Sequence, residues 1–248
     1  MRRGLWRAPA AAIALCAIAI AAAVAVLPAR WLLHLPTSDS LVAVADADGS
    51  LWQGTALLAL GPNGARRTLT PAIAWQWRDW GWTVTHPWLA GPLRITLGWR
   101  GASLSAQRAT LPADLLSTLG APFNTLGPAG ELTASWPAMA LGAALPAGAI
   151  IDVQWKNAGS ALSRVYPLGD YRLRIAGGQA QTATLALTTD RGPLTLQGNG
   201  TWRNKVVFNG EAVIPNAVGS GDRAAMAGLL SAIGRRSGDR SRFGTGGG

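Results

Sequence analysis

Residues 72–85, AIAWQWRDWGWTVT, carry four tryptophans: Trp75, Trp77, Trp80 and Trp82. Successive side chains of a strand point to opposite faces of a sheet, so Trp75 and Trp77 share one face. A tight turn at Arg78-Asp79 would set Trp77 opposite Trp80 and would set Trp75 opposite Trp82. The stretch therefore predicts a β-hairpin with indoles stacked across its strands, and such aromatic pairs contribute about 0.2–1 kcal/mol each.

This tryptophan-rich hairpin has three interpretations. The indoles could form or cover the core, they could line a hydrophobic groove for a partner or a lipid, or they could dock at a membrane surface. The candidate partner or lipid surface consists of Trp75, Trp77, Trp80, Trp82 and Trp88.

Strand patterns continue on both sides of the hairpin. Short apolar runs broken by Gly, Pro, Asn and Asp recur about every 8–12 residues, which is typical of an all-β domain. Residues 93–100 alternate between apolar and polar side chains, which indicates one wet face and an antiparallel sheet. Residues 127–136 and 139–145 predict a further hairpin. Residues 111–120 and 222–233 each predict a short helix, the second with Asp222 as its N-cap.

The N-terminal segment differs from the rest. Residues 10–27, AAAIALCAIAIAAAVAVL, contain no charge, amide or hydroxyl, and a helix that crosses the bilayer core needs about 20 apolar residues. Arg2, Arg3 and Arg7 precede the segment and only Arg30 follows closely, which predicts a cytoplasmic N-terminus. A cleaved signal peptide ending at Ala23-Val24-Ala25 is the alternative, and it puts the remaining chain on the same side of the membrane.

The predicted fold class is therefore mainly β: an N-terminal transmembrane helix followed by a domain built on a curved, meander-like antiparallel sheet, with two short helices. The predicted parts are a basic cytoplasmic tail at 1–7, an anchor at 8–30, the β-rich domain at 31–234 and a disordered Arg/Gly-rich tail at 235–248. Within the domain, residues of about 41–120 and 149–234 each hold a Gly-Pro-Leu strand start and end in a helix, which favours an internal two-fold repeat.

The sequence contains no recognisable constellation for chemistry. Its histidines are His34 and His86, and its single cysteine, Cys16, lies in the apolar N-terminal segment. This inventory argues against zinc sites and Cys/His nucleophiles beyond the membrane. The net charge of +10 comes from scattered arginines, whereas a nucleic-acid binder needs basic residues clustered on one face. We therefore expect no enzyme activity, no metal, no cofactor, no small-molecule substrate and no nucleic-acid partner.

Four segments carry a family resemblance: the N-terminal span running into Leu27-Pro28-Ala29 with Trp31, then residues 49–54 (GSLWQG), 166–173 (YPLGDYRL) and 192–202 (GPLTLQGNGTW). In this order and spacing the chain resembles the type II secretion system protein N family, an inner-membrane component of the general secretion pathway. The motif positions expected to be structural are Gly49, Leu51, Trp52, Gly54, Pro167, Gly169, Tyr171, Gly192, Pro193, Leu194, Gly198, Gly200 and Trp202.

The resemblance implies a single-pass inner-membrane protein with a cytoplasmic N-terminus and a periplasmic C-terminal domain. It implies an accessory or assembly role in protein export across the outer membrane, through contacts with other type II secretion components in the inner membrane and periplasm. Membrane lipids would be contacted through the anchor, and no catalytic residue is carried over. The alternative is a β-trough envelope protein that binds or transfers lipid or shields a hydrophobic segment. A sealed tryptophan core favours a scaffold, and an open concave row of tryptophans favours a trough.

Overall fold

The computed structural model describes residues 15–16, 18–19, 22–34, 40–62, 64, 66–99, 101–142, 147–178 and 181–245. The first strands of this part of the chain are β1 (Val42–Gly49), β2 (Gln53–Leu60), β3 (Arg67–Thr68), β4 (Ile73–Arg78), β5 (Gly81–Thr85), β6 (Leu93–Gly98), β7 (Gly101–Leu104) and β8 (Gln107–Pro112). The later strands are β9 (Pro128–Trp136), β10 (Met139–Leu141), β11 (Gly148–Ser160), β12 (Gly169–Gly177), β13 (Ala183–Arg191), β14 (Thr195–Trp202), β15 (Val206–Val213), β16 (Arg235–Ser237) and β17 (Arg240–Gly244).

The strands form two sheets in which every pairing is antiparallel. The first sheet has the order β1-β2-β4-β5-β6-β7-β10, with β3 paired to β2, and the second has the order β16-β17-β15-β14-β13-β12-β11-β9-β8. Most neighbours in these orders are also neighbours in sequence, as in a meander. The prediction of a mainly β, antiparallel fold is confirmed.

The two sheets share one continuous strand register at their junction. Leu104 of β7 faces Met139 of β10, and Gln107 of β8 faces Trp136 of β9. The chain advances three residues from Leu104 to Gln107, and the partner positions go back three residues from Met139 to Trp136. The strands β7 and β8 therefore lie in line, β10 and β9 lie in line beside them, and both lines are interrupted at the same level. The predicted hairpin between residues 127–136 and 139–145 is wrong. Pro137 lacks the N–H that a ladder needs, and the chain changes sheet there instead of reversing.

Helical segments flank the sheets. They are 3-10 helices at Ala29–His34 and Ala113–Leu119, the single turn α1 (Phe123–Leu126) and the longer α2 (Ser220–Ile233). The N-cap of α2 is Gly219, so Asp222 lies within the first turn, where a negative charge still favours the helix dipole.

The predicted anchor is only partly described. Residues 1–14, and positions 17, 20 and 21, lie outside the described residues, so the cytoplasmic tail at 1–7 and ten of the 23 residues of the anchor at 8–30 do too. Among the residues that are described, no helix has the length and apolar character to cross a membrane.

Residues 235–248 were expected to be a disordered tail, and this expectation is wrong for residues 235–244. They form the β16–β17 hairpin, and β17 pairs with β15. In β17 the side chains alternate, so that Ser241 is buried and Phe243 packs on the core while Arg240 and Arg242 face water beside Glu211. The tail is thus an amphipathic edge hairpin whose arginines also discourage further strand pairing.

Two apolar clusters stabilise the two sheets. A small one in the first sheet contains Ala29, Ala47, Ala56 and Trp75. A larger one lies where the second sheet meets α2, and its buried members are Leu168, Leu194, Ala212, Ile214, Met226, Leu229 and Leu230.

Candidate functional site: an aromatic clamp and an apolar cavity

The tryptophan-rich hairpin forms as β4 and β5, but with another turn. Asp79 and Trp80 both have positive φ values, 49° and 58°, as in the two-residue type I′ turn that matches the twist of a hairpin. Trp77 consequently faces Trp82, and Trp75 faces Val84. The predicted pairing of Trp77 with Trp80 and of Trp75 with Trp82 is wrong, because the turn lies one residue later than Arg78-Asp79.

Three indoles form an edge-to-face ladder on one side of this hairpin. The ring centroids of Trp52 and Trp77 are 5.5 Å apart at 75°, and those of Trp77 and Trp82 are 4.4 Å apart at 72°. This geometry brings the positive edge of one ring to the negative face of the next. Trp52 comes from the turn between β1 and β2, so the ladder joins two hairpins.

The motif at residues 49–54 builds the turn that receives these rings. The indole N–H of Trp75 donates to the carbonyl oxygens of Ser50 and Leu51, each at 3.2 Å, and that of Trp82 donates to the Leu51 carbonyl at 2.9 Å. A Cβ on Gly54 would lie 2.8 Å from the Trp75 ring. Glycine at this position therefore lets Trp75 pack against the turn.

The same turn holds the N-terminal segment. The Trp52 indole donates to the carbonyl oxygen of Val24 at 2.9 Å, and the Leu51 N–H donates to that of Leu27 at 2.9 Å. Ala29 is fully buried in the same cluster. We call Trp52, Trp75, Trp77 and Trp82 the aromatic clamp, since they fix the chain that emerges from the predicted anchor onto the first sheet.

The other two candidate surface tryptophans lie elsewhere. Trp80 stands at the tip of the β4–β5 turn with 79% of its surface exposed. Trp88 lies at the opposite end of the hairpin and packs against His86, with ring centroids 4.6 Å apart. The structure thus brings together Trp75, Trp77 and Trp82 and separates them from Trp80 and Trp88.

The two later motifs meet in the second sheet. The Tyr171 hydroxyl lies 3.1 Å from the carbonyl oxygen of Leu168 and 3.0 Å from that of Leu194, and donates its hydrogen toward them. A Cβ on Gly192 would come within 2.3 Å of the Gly169 Cα, so only glycine allows this approach. The segments 166–173 and 192–202 are therefore one packing unit.

Burial raises the pKa of the Tyr171 phenol well above its ordinary value, and the neighbouring carboxylate of Asp170 adds to this. The pKa of Asp170 itself is lowered. The main cause is the Asn157 backbone N–H, which donates to its carboxylate at 2.7 Å, and Arg191 adds an ion pair against the opposing effect of burial. The neutral phenol is the form that donates to the two carbonyl oxygens, and the ionised carboxylate is the form that pairs with Arg191. Each pKa shift therefore favours the protonation state found in this packing.

Glycines on β14 and β15 make room for two aromatic rings. A Cβ on Gly198 or Gly200 would lie 2.6 or 2.8 Å from the Phe208 ring, and one on Gly210 would lie 2.5 Å from the Phe243 ring. Phe208 and Phe243 stack with their centroids 6.2 Å apart. The glycines of the segment 192–202 thus shape the inner face of the second sheet.

That face lines an apolar cavity of about 660 Å³. Its wall includes Leu132 of β9, Leu173 of β12, Leu187 of β13, Phe208 of β15 and Phe243 of β17. Strands lie about 4.8 Å apart, so β9 and β17, six strand spacings apart, would be roughly 29 Å apart in a flat sheet. Both contribute to one cavity, which requires the sheet to curl around it.

The cavity is closed at one end and open at the other. Leu168, Leu194 and Leu229 are almost fully buried at the end covered by α2. At the far ends of β14 and β15, Trp202 and Val206 face each other and are each 43% exposed. The sequence suggested an apolar trough only as an alternative and only along the row of tryptophans. The cavity lies instead in the second sheet, where apolar residues of β11–β15 supply much of its wall.

The cavity is lined mainly by apolar side chains, so the contacts that it offers to a ligand are mainly apolar. Within the described residues, no cluster of three or more His, Cys, Asp or Glu side chains is placed to hold a metal ion. The described titratable groups with clear pKa shifts, Asp170 and Tyr171, are both engaged in packing. The aromatic clamp is suited to holding the N-terminal segment, and the cavity is suited to holding an apolar ligand.

Comparison with known proteins gives a family match. No curated protein and no solved structure matches the chain significantly. The family described as "Type II secretion system (T2SS), protein N" matches residues 40–243, which run from two residues before β1 to Phe243 in β17 and so include both later motifs and the turn of the clamp. The chain belongs to the type II secretion system protein N family, and it therefore takes part in type II secretion.

Proposed function

We propose that the protein is an inner-membrane-anchored accessory or assembly component of the type II secretion machinery. Its β-rich domain acts in the periplasm by contact with other secretion components and performs no catalysis. The observation that carries this proposal, beside the family, lies at the aromatic clamp, where the apolar N-terminal segment ends. The Trp52 indole of the clamp donates to the Val24 carbonyl oxygen, and the Leu51 N–H of the same turn donates to that of Leu27. A rigid joint at this point would transmit the position of the anchor to the sheet.

The end of the first sheet beside the clamp carries exposed apolar side chains. The Leu97 N–H donates to the Trp80 carbonyl oxygen at 2.9 Å, so these residues are neighbours, and Trp99 follows at the tip of the next turn. Trp80, Leu97 and Trp99 are all exposed, Trp99 completely. We call these three residues the membrane-facing end, because the N-terminal segment joins the sheet at the same end and tryptophan favours the membrane interface.

Backbone strain at Trp80 supports a role for its side chain. Its φ of 58° lies in the left-handed region, which glycine adopts freely and which costs a bulky residue of order 1–3 kcal/mol. An indole held there in water contributes little to packing. A contact outside the domain, with the membrane interface, accounts for its presence.

Labelling in intact cells tests the topology. In a Cys16→Ala background, a cysteine placed at the exposed Arg203 should react with a membrane-impermeant maleimide once the outer membrane is permeabilised. A cysteine at Arg3 should react only after lysis. Reaction of the Arg203 position only after lysis would overturn the periplasmic assignment.

Secretion assays test the role. In a strain that lacks the gene, full-length protein should restore export, and Trp52→Ala should restore it poorly while the domain stays folded. Trp88→Ala is the matched control for this proposal, because Trp88 is half-buried like Trp52 but lies at the opposite end of the β4–β5 hairpin. Full export without any functional copy of the gene would contradict the assembly role.

A second candidate function is favoured by the cavity. A β-trough that takes up lipid needs an apolar concave surface that is open on one side, and the second sheet has one of about 660 Å³. The aromatic clamp does not contribute to it, so the two candidate functions use different parts of the chain and can coexist.

A further inference from the structure

We propose that the cavity of the second sheet binds one acyl chain of an amphiphile with an anionic head group, inserted past Trp202 and Val206 toward α2. This rests on the second candidate function and is independent of the assembly role.

The size of the cavity suits one chain. A methylene group takes up about as much room as a water molecule, roughly 30 Å³, so 660 Å³ would hold about 20 of them. A helix with side chains is at least about 10 Å across, so the same volume would hold only about one and a half turns of it. A helical segment of a partner protein is thus too large to be taken up.

The wall also disfavours an extended peptide. The hydroxyl groups of Ser160 and Thr245 donate to the carbonyl oxygens of Leu126 and Val206, and the Trp155 indole donates to that of Ala129. Tyr171 is likewise engaged. A peptide backbone carries a donor and an acceptor at every residue, and these would remain unpaired against such a wall. An acyl chain has no polar group to satisfy.

Charge at the entrance indicates the head group. The end of β10, the start of β11, the end of β12 and the start of β13 lie at this end, as does the connection 203–205 between β14 and β15. In sequence, the three connections hold two charged residues, Arg203 and Lys205. Arg203 follows Trp202 directly, Lys205 comes two residues later, and both are exposed. With the chain inserted past Trp202, an anionic head group would lie beside both cations.

The test uses the full chain, transferred from detergent into amphipol, and a photoactivatable palmitic acid as probe. Labelling should fall on peptides of β13 and β15. Unlabelled saturated fatty acids should compete with an affinity that rises about fourfold per methylene until the cavity is full, since each buried methylene adds a constant free energy. Labelling confined to the N-terminal segment, or competition that does not depend on chain length, would overturn the proposal.

Two pairs of variants locate the site. Leu187→Gln puts an amide into the wall and should reduce labelling at least tenfold, whereas Thr188→Gln, on the outer face of the same strand, should not. Arg203→Glu with Lys205→Glu should weaken palmitate at least tenfold and leave the neutral monopalmitoylglycerol unchanged. Equal labelling of Leu187→Gln and wild type, with both folded by circular dichroism, would contradict the site.

Competition by lysophosphatidylglycerol against palmitate separates a phospholipid source of the chain from a free fatty acid. The stronger competitor identifies the source, and failure of both would overturn the proposal. Export assays on Leu187→Gln test the assembly role separately. The assembly role is assigned to the aromatic clamp, which this substitution leaves intact, so loss of labelling and loss of export are distinguishable outcomes.

Discussion

The hydroxyl group of Tyr171 lies 3.0 Å from the carbonyl oxygen of Leu194, which is 23 residues further along the chain. The same hydroxyl lies 3.1 Å from the Leu168 carbonyl oxygen. One buried phenol thus ties the start of β12 to the start of β14 across β13. Since Leu168 and Leu194 also form part of the larger core cluster, this contact fixes the closed end of the cavity.

Tyr171→Phe should lower the free energy of unfolding by about 1–3 kcal/mol, because it leaves buried carbonyl oxygens without their donor. Urea unfolding followed by tryptophan fluorescence measures this change. Tyr166→Phe is the matched control, because Tyr166 is the other tyrosine of the chain and is 64% exposed. An equal effect of the two substitutions would contradict the role assigned to the hydroxyl.

Alkaline pH should weaken the fold through the same residue. Burial raises the pKa of Tyr171 above the ordinary value of 10.0, so the folded chain keeps the phenol neutral while the unfolded chain ionises. The contribution of the neutral Tyr171 phenol to the free energy of unfolding is therefore complete below pH 10. As pH rises above 10, this contribution decreases by about 1.4 kcal/mol per pH unit. The stability gap between wild type and Tyr171→Phe should narrow above pH 10; a constant gap up to pH 11 would contradict this.

Two glycine substitutions should act in opposite directions. Gly200→Ala puts a Cβ 2.6 Å from the Val207 carbonyl oxygen and 2.8 Å from the Phe208 ring, so it should cost about 1–3 kcal/mol. Gly228 lies within α2, and a Cβ there meets nothing within 4 Å. Gly228→Ala should therefore stabilise by up to about 1 kcal/mol through helix propensity. Thermal unfolding of both variants distinguishes these signs.

Much of the sheet could be predicted from sequence because one face of each strand is wet. The alternation in residues 93–100 predicts a strand where β6 (Leu93–Gly98) lies. Alternation does not reveal partners. Nothing local in β9 and β10 indicates that they pair with different strands, and the shared register at Pro137 depends on β7 and β8, some 30 residues away in the chain.

The candidate site could be predicted less well, for reasons of turn geometry and curvature. A tryptophan at positive φ is unfavourable, so the residue types at Asp79-Trp80 do not indicate a type I′ turn. The prediction that Trp75 and Trp77 share one face of the sheet is confirmed, since it depends only on the alternation of side chains along a strand. The cavity depends on how far the second sheet curls, which is a property of nine strands together and not of any one.

The clamp and the membrane-facing end should respond differently to truncation. Trp75 is 8% exposed and makes two hydrogen bonds, so Trp75→Ala should cost about 3–5 kcal/mol. Trp80→Ala should change stability by less than about 0.5 kcal/mol, and Trp80→Gly should stabilise by about 1 kcal/mol by relieving the positive φ. In proteoliposomes, brominated lipid should quench part of the tryptophan fluorescence of wild type, and it should quench less in both Trp80 variants. Unchanged quenching in Trp80→Gly would argue against the membrane-facing end.

Removal of residues 235–248 tests whether the Arg-rich end belongs to the fold. The deletion takes away β17 and with it the Phe243 ring, which packs on the core cluster and stacks on Phe208. Loss of a packed Phe costs up to about 3–5 kcal/mol, and the open edge of β15 adds unpaired backbone groups. We expect a loss of several kcal/mol and stronger binding of a hydrophobic dye. Arg242→Ala, which removes an exposed charge but keeps the strand, should change stability by less than about 0.5 kcal/mol. If the deletion were as mild as Arg242→Ala, the end of the chain would be an appendage, and the cavity would have to be closed on that side by β15 alone.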